Sequence, residues 1–307
     1  MERKCSMEEI KDLMWSFTEA MAEAIDARTP YNAHHVRMVA DYVGKMADYI
    51  NEQHEKGLEE EYFSPNRKEQ LVLGALMHDV GKIAVPANVM NKASRLEGKL
   101  QNIRLRFALF HARYQIQYLQ GELTKEVFEQ KCRQLCEILS LAEEVDRMSI
   151  LTEEKRRRVE NVLEVCYEGC EGIEPYFTEE EKECLLIQRG TLTAAERQIM
   201  ESHVEITERI LNKVDFNSQY ENIKKWAVQH HEYLDGTGYP KHLRGEQLSL
   251  EARMLTVADI CDSLLATDRP YKKPLPKEEA FGIMYNMAKQ GKLDEKVVSY
   301  LEQSIDR

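Results

Sequence analysis

The chain has 307 residues, of which 43% are hydrophobic and 31% are charged, a balance that fits one large globular domain or two ordinary ones. Its 42 Lys and Arg face 54 Asp and Glu, and the net charge of −12 excludes general binding to nucleic acid or to anionic membranes. The sequence contains neither an apolar run long enough for a transmembrane helix nor the apolar core of a signal peptide. We therefore expect a cytoplasmic protein without membrane insertion.

The first quarter of the chain predicts three amphipathic helices. Residues 7–28 predict a helix that ends before Pro30 and whose apolar face packs in a core or in a coiled coil. That face alternates spacings of four and three residues: Ile10, Met14, Phe17, Met21 and Ala24. A second helix is predicted over 32–55, and Ser64 is the expected cap of a third helix that runs to His78. The apolar face of the second helix is Val36, Val39, Val43, Met46 and Ile50.

The middle of the chain predicts an antiparallel helical hairpin. Two apolar faces with the same alternating spacing lie on either side of a turn at Gly121, for which Thr124 is the expected cap of the second helix. The two faces are Ile103, Phe107, Phe110 and Tyr114, then Phe128, Cys132, Leu135, Leu139 and Ala142. Thr178 and Thr193 each stand three residues before a glutamate, the spacing of a helix capping box.

The remaining sequence is helical except for a glycine-rich loop at 235–240. Alternating apolar patterns of five to eight residues, which are typical of strands, are absent from the sequence. The pattern therefore predicts an all-α fold.

Histidine is scarce, with nine in the chain, yet it occurs in three close groups that include acids or second histidines: His34 with His35, His78 with Asp79, and His230 with His231. Imidazole nitrogens and carboxylate oxygens together suit Fe, Mn or Zn. A single histidine of this kind is more often a capped helix end or a satisfied core group, so the clustering carries the argument. A carboxylate at position 79 could bridge two ions with its two oxygens, and Lys82 could neutralise a phosphate bound to the same metals.

Several ordered motifs resemble those of the HD-GYP phosphodiesterases, a branch of the HD metal-dependent phosphohydrolase superfamily. Residues 78–86 read HDVGKIAVP and are similar to the HDxGKI-x-VP motif of that family. Residues 230–240 read HHEYLDGTGYP and are similar to its HHE-x-x-DGxGYP motif. Residues 31–36 resemble its YTxGHS segment, in a register that makes His35 the ligand.

Two further stretches extend the resemblance toward the end of the chain. Residues 192–196, followed by His203, resemble the LT-x-x-E segment and its downstream ligand. Residues 253–272 resemble the stretch that supplies the last metal-binding aspartate and a substrate-binding RxxK sequence. Together the motifs cover close to two thirds of the chain.

The resemblance implies a two-metal site in which Asp79 bridges the ions. One ion is held by His35, His78, Asp79 and Asp259, and the other by Asp79, His203, His230 and His231. In the family such sites hold iron or manganese and hydrolyse cyclic di-GMP to linear pGpG, with GMP where a second cut follows. Two cations can lower the pKa of a bridging water and thereby supply hydroxide for attack on the phosphodiester.

The resemblance also assigns residues around the metals. Lys82, Arg269 and Lys272 are implied phosphate contacts, and Asp262 is an expected second acid or base. Tyr239 is expected to approach a guanine or a phosphate. Some family members carry a glutamate for a third metal where this chain has Tyr31, so we expect two metal ions.

These assignments predict an HD-GYP helical bundle that is split in sequence. Residues 1–98 and 191–307 form the catalytic core, and 99–190 form an inserted helical hairpin. Hydrolysis of a mixed cyclic dinucleotide such as cyclic GMP-AMP stays open as an alternative, as does a non-catalytic protein that binds cyclic dinucleotides or acts as a scaffold. A homodimer through 7–28 or through 99–190 is a further expectation.

Overall fold

The computed structural model describes residues 7–28, 34–168, 172–216, 220–266 and 275–307. Within these ranges the chain is helical apart from one short two-stranded hairpin, which confirms the predicted all-α class. None of the helices in the described ranges has the length and apolar character needed to cross a bilayer. The chain divides into two compact units: unit 1 comprises Met1–Asn91 and Gln198–Arg307, and unit 2 comprises Lys92–Arg197.

The helices and strands follow one another in a simple order. The helices are α1 (Met7–Asp26), α2 (His35–Glu55), α3 (Pro65–Met77), α4 (Ala87–Met90), α5 (Leu100–Leu119), α6 (Lys125–Asp146), α7 (Glu153–Leu163), α8 (Glu179–Leu185), α9 (Ala194–Glu201), α10 (His203–Leu211), α11 (Asn222–Ala227), α12 (Leu250–Leu265), α13 (Lys277–Lys289) and α14 (Glu295–Ser304). Short 3₁₀ helices span Val80–Ala84 and Gly245–Gln247, and strands β1 (Cys166–Glu168) and β2 (Ile173–Pro175) pair antiparallel.

Side-chain caps fix several helix starts where the sequence predicts them. The Ser64 hydroxyl accepts a hydrogen bond from the Arg67 amide, and proline occupies the first turn of α3. Thr124 caps α6 in the same way. The capping boxes that begin at Thr178 and Thr193 are both formed, each with reciprocal bonds between the threonine and its glutamate.

The core of unit 1 is built around α2. Its apolar face packs against α3, α12 and α14, and every member of the predicted set is buried. That set is Val36, Val39, Val43, Met46 and Ile50. The amphipathic pattern of this segment therefore predicts both the helix and the face that it buries.

The face predicted for α1 is not the one that packs in the core of this chain. Phe17 is 55% exposed and Ala24 is exposed, whereas Thr18, Ala22 and Ile25 are buried. Met21 of the predicted face is partly buried, and the side chains of Ile10 and Met14 lie outside the described part of the structure. The buried face is Trp15, Thr18, Ala22 and Ile25, which has the same alternating spacing. Helix α1 thus carries two apolar faces, and the indole of Trp15, which donates to the Glu69 carboxylate at 2.9 Å, lies on the buried one.

Unit 2 has a core of its own. The apolar face of α5 predicted from the sequence is buried, and Phe107 contacts the rings of Tyr176 and Phe177. Helices α5 and α6 run antiparallel, because Arg104 near the start of α5 pairs with Glu143 near the end of α6. The hairpin β1–β2 has strands of three residues, which is shorter than the pattern by which a strand is predicted from sequence.

Candidate metal centre

Five helices of unit 1 bring the predicted ligands together. His35 and His203 are the first residues of α2 and α10, and His78 with Asp79 follows α3. The remaining ligands are His230 and His231, just after α11, and Asp259, in the middle of α12. All of these side chains are buried except His231, which is partly buried. Most of the ligands therefore lie at helix ends, where a short motif fixes their direction.

The carboxylate of Asp79 lies between two groups of imidazoles. Its Oδ2 is 3.2 Å from His78 Nε2 and 3.5 Å from His35 Nε2. Its Oδ1 is 3.4 Å from His203 Nε2 and 3.8 Å from His230 Nε2. Each oxygen thus faces a different pair of histidines, an arrangement that suits a ligand shared by two ions.

The far nitrogens of three histidines are held by backbone carbonyls three residues earlier. The Nδ1 atoms of His78, His203 and His230 lie 2.6, 2.7 and 2.7 Å from the carbonyl oxygens of Ala75, Met200 and Ala227. A carbonyl can only accept, so each Nδ1 carries the proton and donates it. The Nε2 lone pair of each ring is consequently directed into the site, as in metal-binding histidines.

Asp259 and Asp262 complete the side of the site around His35. His35 Nε2 lies 3.1 Å from Asp259 Oδ1, and His35 Nδ1 lies 2.6 Å from Asp262 Oδ2. The other oxygen of Asp259 is 3.7 Å from His231 Nδ1. The acid in the apolar sequence of α12 thus has the imidazole partners that its burial requires.

The donor set fits metal ions. Two groups each bring their ligand atoms within 4.8 Å of one another: His35, His78 and Asp79, and His203, His230 and His231. His78 Nε2 and Asp79 Oδ1 are fully buried and have no partner with hydrogen-bond geometry. Buried polar atoms without partners are costly, and a cation at each group would satisfy them.

The electrostatics of the site favour neutral imidazoles on one side and positive charge on the other. Burial lowers the pKa of His203 to about 4 and that of His231 to about 3, and it places the pKa of His230 well below its usual value. Burial opposes charge on His35 as well, but hydrogen bonds to three carboxylates raise its pKa well above the usual value. Neutral imidazole is the form that binds metal, and the carboxylate-rich side attracts a cation.

The segment after Asp79 is locked to α10 by Gly81 and Thr207. The Gly81 amide donates to Thr207 Oγ1 at 2.9 Å, and this hydroxyl donates to the His78 carbonyl at 3.1 Å. A Cβ atom on Gly81 would overlap the carbonyl oxygen of His203 and lie 2.6 Å from the Thr207 amide nitrogen. The glycine therefore allows the two halves of the ligand set to approach each other.

Lys82 reaches the site at its edge. Its ammonium lies 2.5 Å from Asp79 Oδ2, and its side chain is 17% exposed. Burial opposes ionisation of Asp79, but His78 and Lys82 lower the pKa of this acid well below its usual value. The guanidinium of Arg28, at the end of α1, donates to the backbone carbonyls of Lys82 and Val85 at 3.4 and 3.1 Å. Sequence reasoning missed both Arg28 and Thr207, because their contacts are to backbone atoms distant in sequence.

The glycine-rich loop is held by Glu232, whose contribution the sequence also did not indicate. This buried carboxylate accepts hydrogen bonds from the amides of Lys241 and Leu243 at 2.7 and 2.9 Å. The loop places the ring of Tyr239 against that of His231, with 4.7 Å between the ring centroids. Burial raises the pKa of Tyr239 above its usual value, so the phenol stays protonated.

Three residues singled out in the sequence lie outside the described residues. They are Tyr31, Arg269 and Lys272. The expected phosphate contacts of Arg269 and Lys272 therefore stay predictions.

Comparison with known proteins agrees with this geometry. The HD domain family matches residues 32–166, and a second HD domain pattern matches residues 182–297. The chain is 41% identical over 100 residues to a 3′3′-cGAMP-specific phosphodiesterase of Vibrio cholerae. It is 38% identical over 112 residues to the cyclic di-GMP phosphodiesterase response regulator RpfG of Xanthomonas campestris, and 39% identical over 98 residues to a cyclic di-GMP phosphodiesterase of Thermotoga maritima.

These similarities cover 33%, 36% and 32% of this chain, and 21%, 28% and 26% of the respective relatives. The chain thus spans less than a third of the length of these relatives. The matched patterns and the buried His and Asp site define a metal-dependent class of protein. The chain belongs to the HD domain superfamily, and within it to the HD-GYP type.

Proposed function

We propose that this chain is a metal-dependent phosphodiesterase that hydrolyses cyclic di-GMP to linear pGpG and, where a second cut follows, to GMP. The observation that carries the proposal is the position of Asp79, with each carboxylate oxygen facing a different pair of histidines. Relatives from Xanthomonas campestris and Thermotoga maritima that carry the name cyclic di-GMP phosphodiesterase support the choice of substrate.

The proposed cofactors are two divalent ions, Fe or Mn. His35, His78 and Asp259 would hold one ion, His203, His230 and His231 would hold the other, and Asp79 would contact both. Such ions supply a water of lowered pKa and stabilise the negative charge that develops on the phosphate. Nitrogen and carboxylate ligands without thiolate suit iron and manganese.

The chain's own residues would bind and orient the substrate. Lys82 is proposed to neutralise a substrate phosphate, because its ammonium lies at the exposed edge of the site, 2.5 Å from Asp79. Tyr239 is proposed to contact a guanine or a phosphate beside His231. Asp262 is proposed to hold the proton of His35 Nδ1 and to accept or release a proton during the reaction. Arg269 and Lys272 are proposed as further phosphate contacts.

Hydrolysis of 3′3′-cyclic GMP-AMP is a second candidate function. A Vibrio cholerae relative that is 41% identical over 100 residues carries the name 3′3′-cGAMP-specific phosphodiesterase, and a second one is 38% identical over 95 residues. Both functions use the same metal site and differ only in one nucleobase. A direct comparison of the two substrates therefore separates them.

We also propose that unit 2 is inserted into a single catalytic unit and that the protein works in the cytoplasm. The first proposal rests on the five ligand-bearing segments, all of which belong to unit 1. The second is supported by the described cysteines, which are all free thiols, as expected in a reducing compartment.

The test compares two carboxylates of unit 1. Chain loaded with Mn²⁺ or with Fe²⁺ under anaerobic conditions is incubated with cyclic di-GMP and, separately, with 3′3′-cyclic GMP-AMP, and the products are separated by chromatography. Metal content is measured by mass spectrometry. Asp79→Ala is expected to lose both bound metal and hydrolysis, whereas Asp41→Ala, an exposed acid of α2 paired with Lys45, keeps both.

Three outcomes would contradict parts of this proposal. Loaded chain that binds cyclic di-GMP but leaves it intact would indicate the non-catalytic alternative. Faster hydrolysis of the mixed dinucleotide would move the substrate assignment to cyclic GMP-AMP. An Asp79→Ala variant that still binds two ions and hydrolyses substrate would refute the site itself.

A further inference from the structure

Helix α5 of unit 2 carries a second apolar face that nothing in the described chain covers. Its buried face packs in the core of unit 2, as described above. On the opposite side, Leu105, Leu109, Ile116 and Leu119 are 56%, 70%, 54% and 74% exposed, and Ala112 is also exposed. We call these five residues the α5 stripe. Scattered exposed leucines are ordinary, but a contiguous row of this kind is typical of an interaction surface.

The spacing of the α5 stripe indicates what covers it. Its members follow one another at intervals of four, three, four and three residues, which is the heptad repeat of a coiled coil. Another helix, which winds around such a row and inserts side chains at the same repeat, is the partner that this exposed spacing fits best. The partner expected for this stripe is therefore an α-helix.

The charges around the stripe disfavour a membrane as the partner. Helix α5 contains no acidic residue, but its Arg104 and Arg106 are each paired at 2.6 Å, with Glu143 and Glu181. Residues 92–197 as a whole carry 17 Lys and Arg against 20 Asp and Glu. An interfacial helix that binds anionic lipid needs an excess of free positive charge beside its apolar face, and among the described residues Arg113 is the one arginine of α5 without a carboxylate partner.

We propose that the α5 stripe is the interface of a homodimer in which α5 pairs in parallel with α5 of a second copy. A second copy supplies the same stripe, as a two-fold interface requires. In heptad terms Leu105, Ala112 and Leu119 occupy d positions and Leu109 and Ile116 occupy a positions. Leucine at d with a β-branched residue at a, the combination that Leu105, Leu119 and Ile116 provide, favours two parallel strands, and Leu109 departs from it.

The flanking charges select the parallel arrangement. In a parallel pair the flanking residue Arg106 faces Gln101 of the other copy, and Arg113 faces Ala108, so no like charges meet. An antiparallel pair would bring Arg106, which is paired with Glu181, opposite the Arg113 of the other copy at two places on one flank of the seam. Like charges in register disfavour that pairing.

The size of the α5 stripe sets the expected affinity of the dimer. From Leu105 to Leu119 the helix rises about 21 Å, which is two heptads and less than an independent coiled coil needs. Interfaces of this size bury less than about 1,200 Å² in total and are weak or transient. The dimer is therefore expected to exchange with monomer at micromolar concentrations.

The first test is sedimentation velocity of the full chain across a concentration series from about 1 to about 300 μM. The doubly substituted chain Leu109→Ser/Ile116→Ser is expected to raise the dimer dissociation constant at least about tenfold, because it places hydroxyls at the centre of the seam. The controls are Ile173→Ser, an 82% exposed residue of the same unit, and Phe17→Ser, on the exposed face of α1. Neither control is expected to change the constant.

The second test reports the direction of the helices. Leu105→Cys and Leu119→Cys are made separately in a chain whose exposed Cys136 and Cys166 are replaced by serine. In a parallel dimer each new cysteine lies beside the same residue of the other chain and forms an intermolecular disulfide on oxidation. In an antiparallel dimer each would lie near the opposite end of the partner helix, and neither would cross-link.

Four results would overturn the proposal. They are a chain that stays monomeric throughout the series, a dimer that the double substitution leaves unchanged, an equal loss of dimer with Phe17→Ser, and cysteines that fail to cross-link while the dimer persists. Flotation of the chain with phosphatidylglycerol and phosphatidylcholine vesicles, lost in the double variant, would assign the stripe to a membrane instead. Circular dichroism of each variant confirms that the fold is retained.

Discussion

Gly81 offers the sharpest test of the close packing that assembles the metal centre. Its α-carbon lies where the 3₁₀ helix after Asp79 crosses α10. A methyl group at this position would overlap the His203 carbonyl oxygen, and it would lie 2.6 Å from the amide nitrogen and 2.8 Å from the hydroxyl oxygen of Thr207. Two of these three atoms belong to the backbone, which cannot rotate away as a side chain does.

The expected cost of Gly81→Ala follows from two effects. Overpacking of a closed core costs about 1–3 kcal/mol. Separation of the two segments also breaks the hydrogen bond from the Gly81 amide to Thr207, worth about 1 kcal/mol. We therefore expect a loss of about 2–4 kcal/mol in the free energy of unfolding. Because His203 and Asp79 must move apart, metal affinity is expected to fall as well.

Urea denaturation and metal analysis measure these two losses separately. Gly282→Ala in α13 is the matched control, because a Cβ atom there meets nothing within 4 Å. The control is expected to stabilise the chain by about 0.5–1 kcal/mol, since alanine favours a helix over glycine. If Gly81→Ala unfolded at the same urea concentration as the unmodified chain and retained its metal, the argument from close approach would be refuted.

Three further predictions concern contacts outside the ligand set. Arg28→Ala removes the donors to the backbone of Lys82 and Val85, and we expect the hydrolysis rate to fall at least about tenfold while metal content stays constant. Glu232→Gln leaves one of the two backbone amides that Glu232 holds, those of Lys241 and Leu243, without its charged acceptor, and thermal unfolding should report a loss of about 1–3 kcal/mol. Burial opposes ionisation of Glu196, but the nearby Lys92 ammonium lowers the pKa of this acid. The ionised carboxylate of Glu196 therefore contributes fully to stability above the unfolded pKa of about 4.3. This contribution is lost as the pH falls through the lower folded pKa. A stability profile of Glu196→Gln between pH 3 and 7 should lack this component, and at neutral pH the variant should be about 3 kcal/mol less stable because the buried Lys92 loses its partner.

The cluster of His and Asp side chains proposed as metal ligands could be predicted from the sequence because its geometry is local. His78 and Asp79 are neighbours at the end of one helix, and His230 and His231 are neighbours after another. In such positions a short motif fixes both the residue types and the direction in which they project. The structure brings the side chains of all seven predicted ligands together.

The contacts that hold these ligands in place could not be predicted in the same way. Thr207 binds the backbone of Gly81 and His78, more than 120 positions away in the sequence. Arg28 binds carbonyls more than 50 positions away. Backbone atoms are present at every residue, so their partners leave no pattern of residue types. The sequence does not identify the buried face of α1 for a related reason, since two apolar faces with equal periodicity give no means to choose between them.

The contact between the two ends of unit 2 explains how about one hundred residues can separate the two parts of the motif set. The ammonium of Lys92 lies 2.7 Å from a carboxylate oxygen of Glu196, and the Thr191 hydroxyl donates to the Lys92 carbonyl at 2.9 Å. The two ends of unit 2 are therefore in direct contact, and the chain leaves and returns at one place. Closing a long loop costs little more entropy than closing a short one, so the length between the ends adds only slightly to the cost of folding unit 1. A segment that has its own core, and whose two ends are in contact, can then vary in sequence without moving His78 relative to His203. It can also carry a surface such as the α5 stripe.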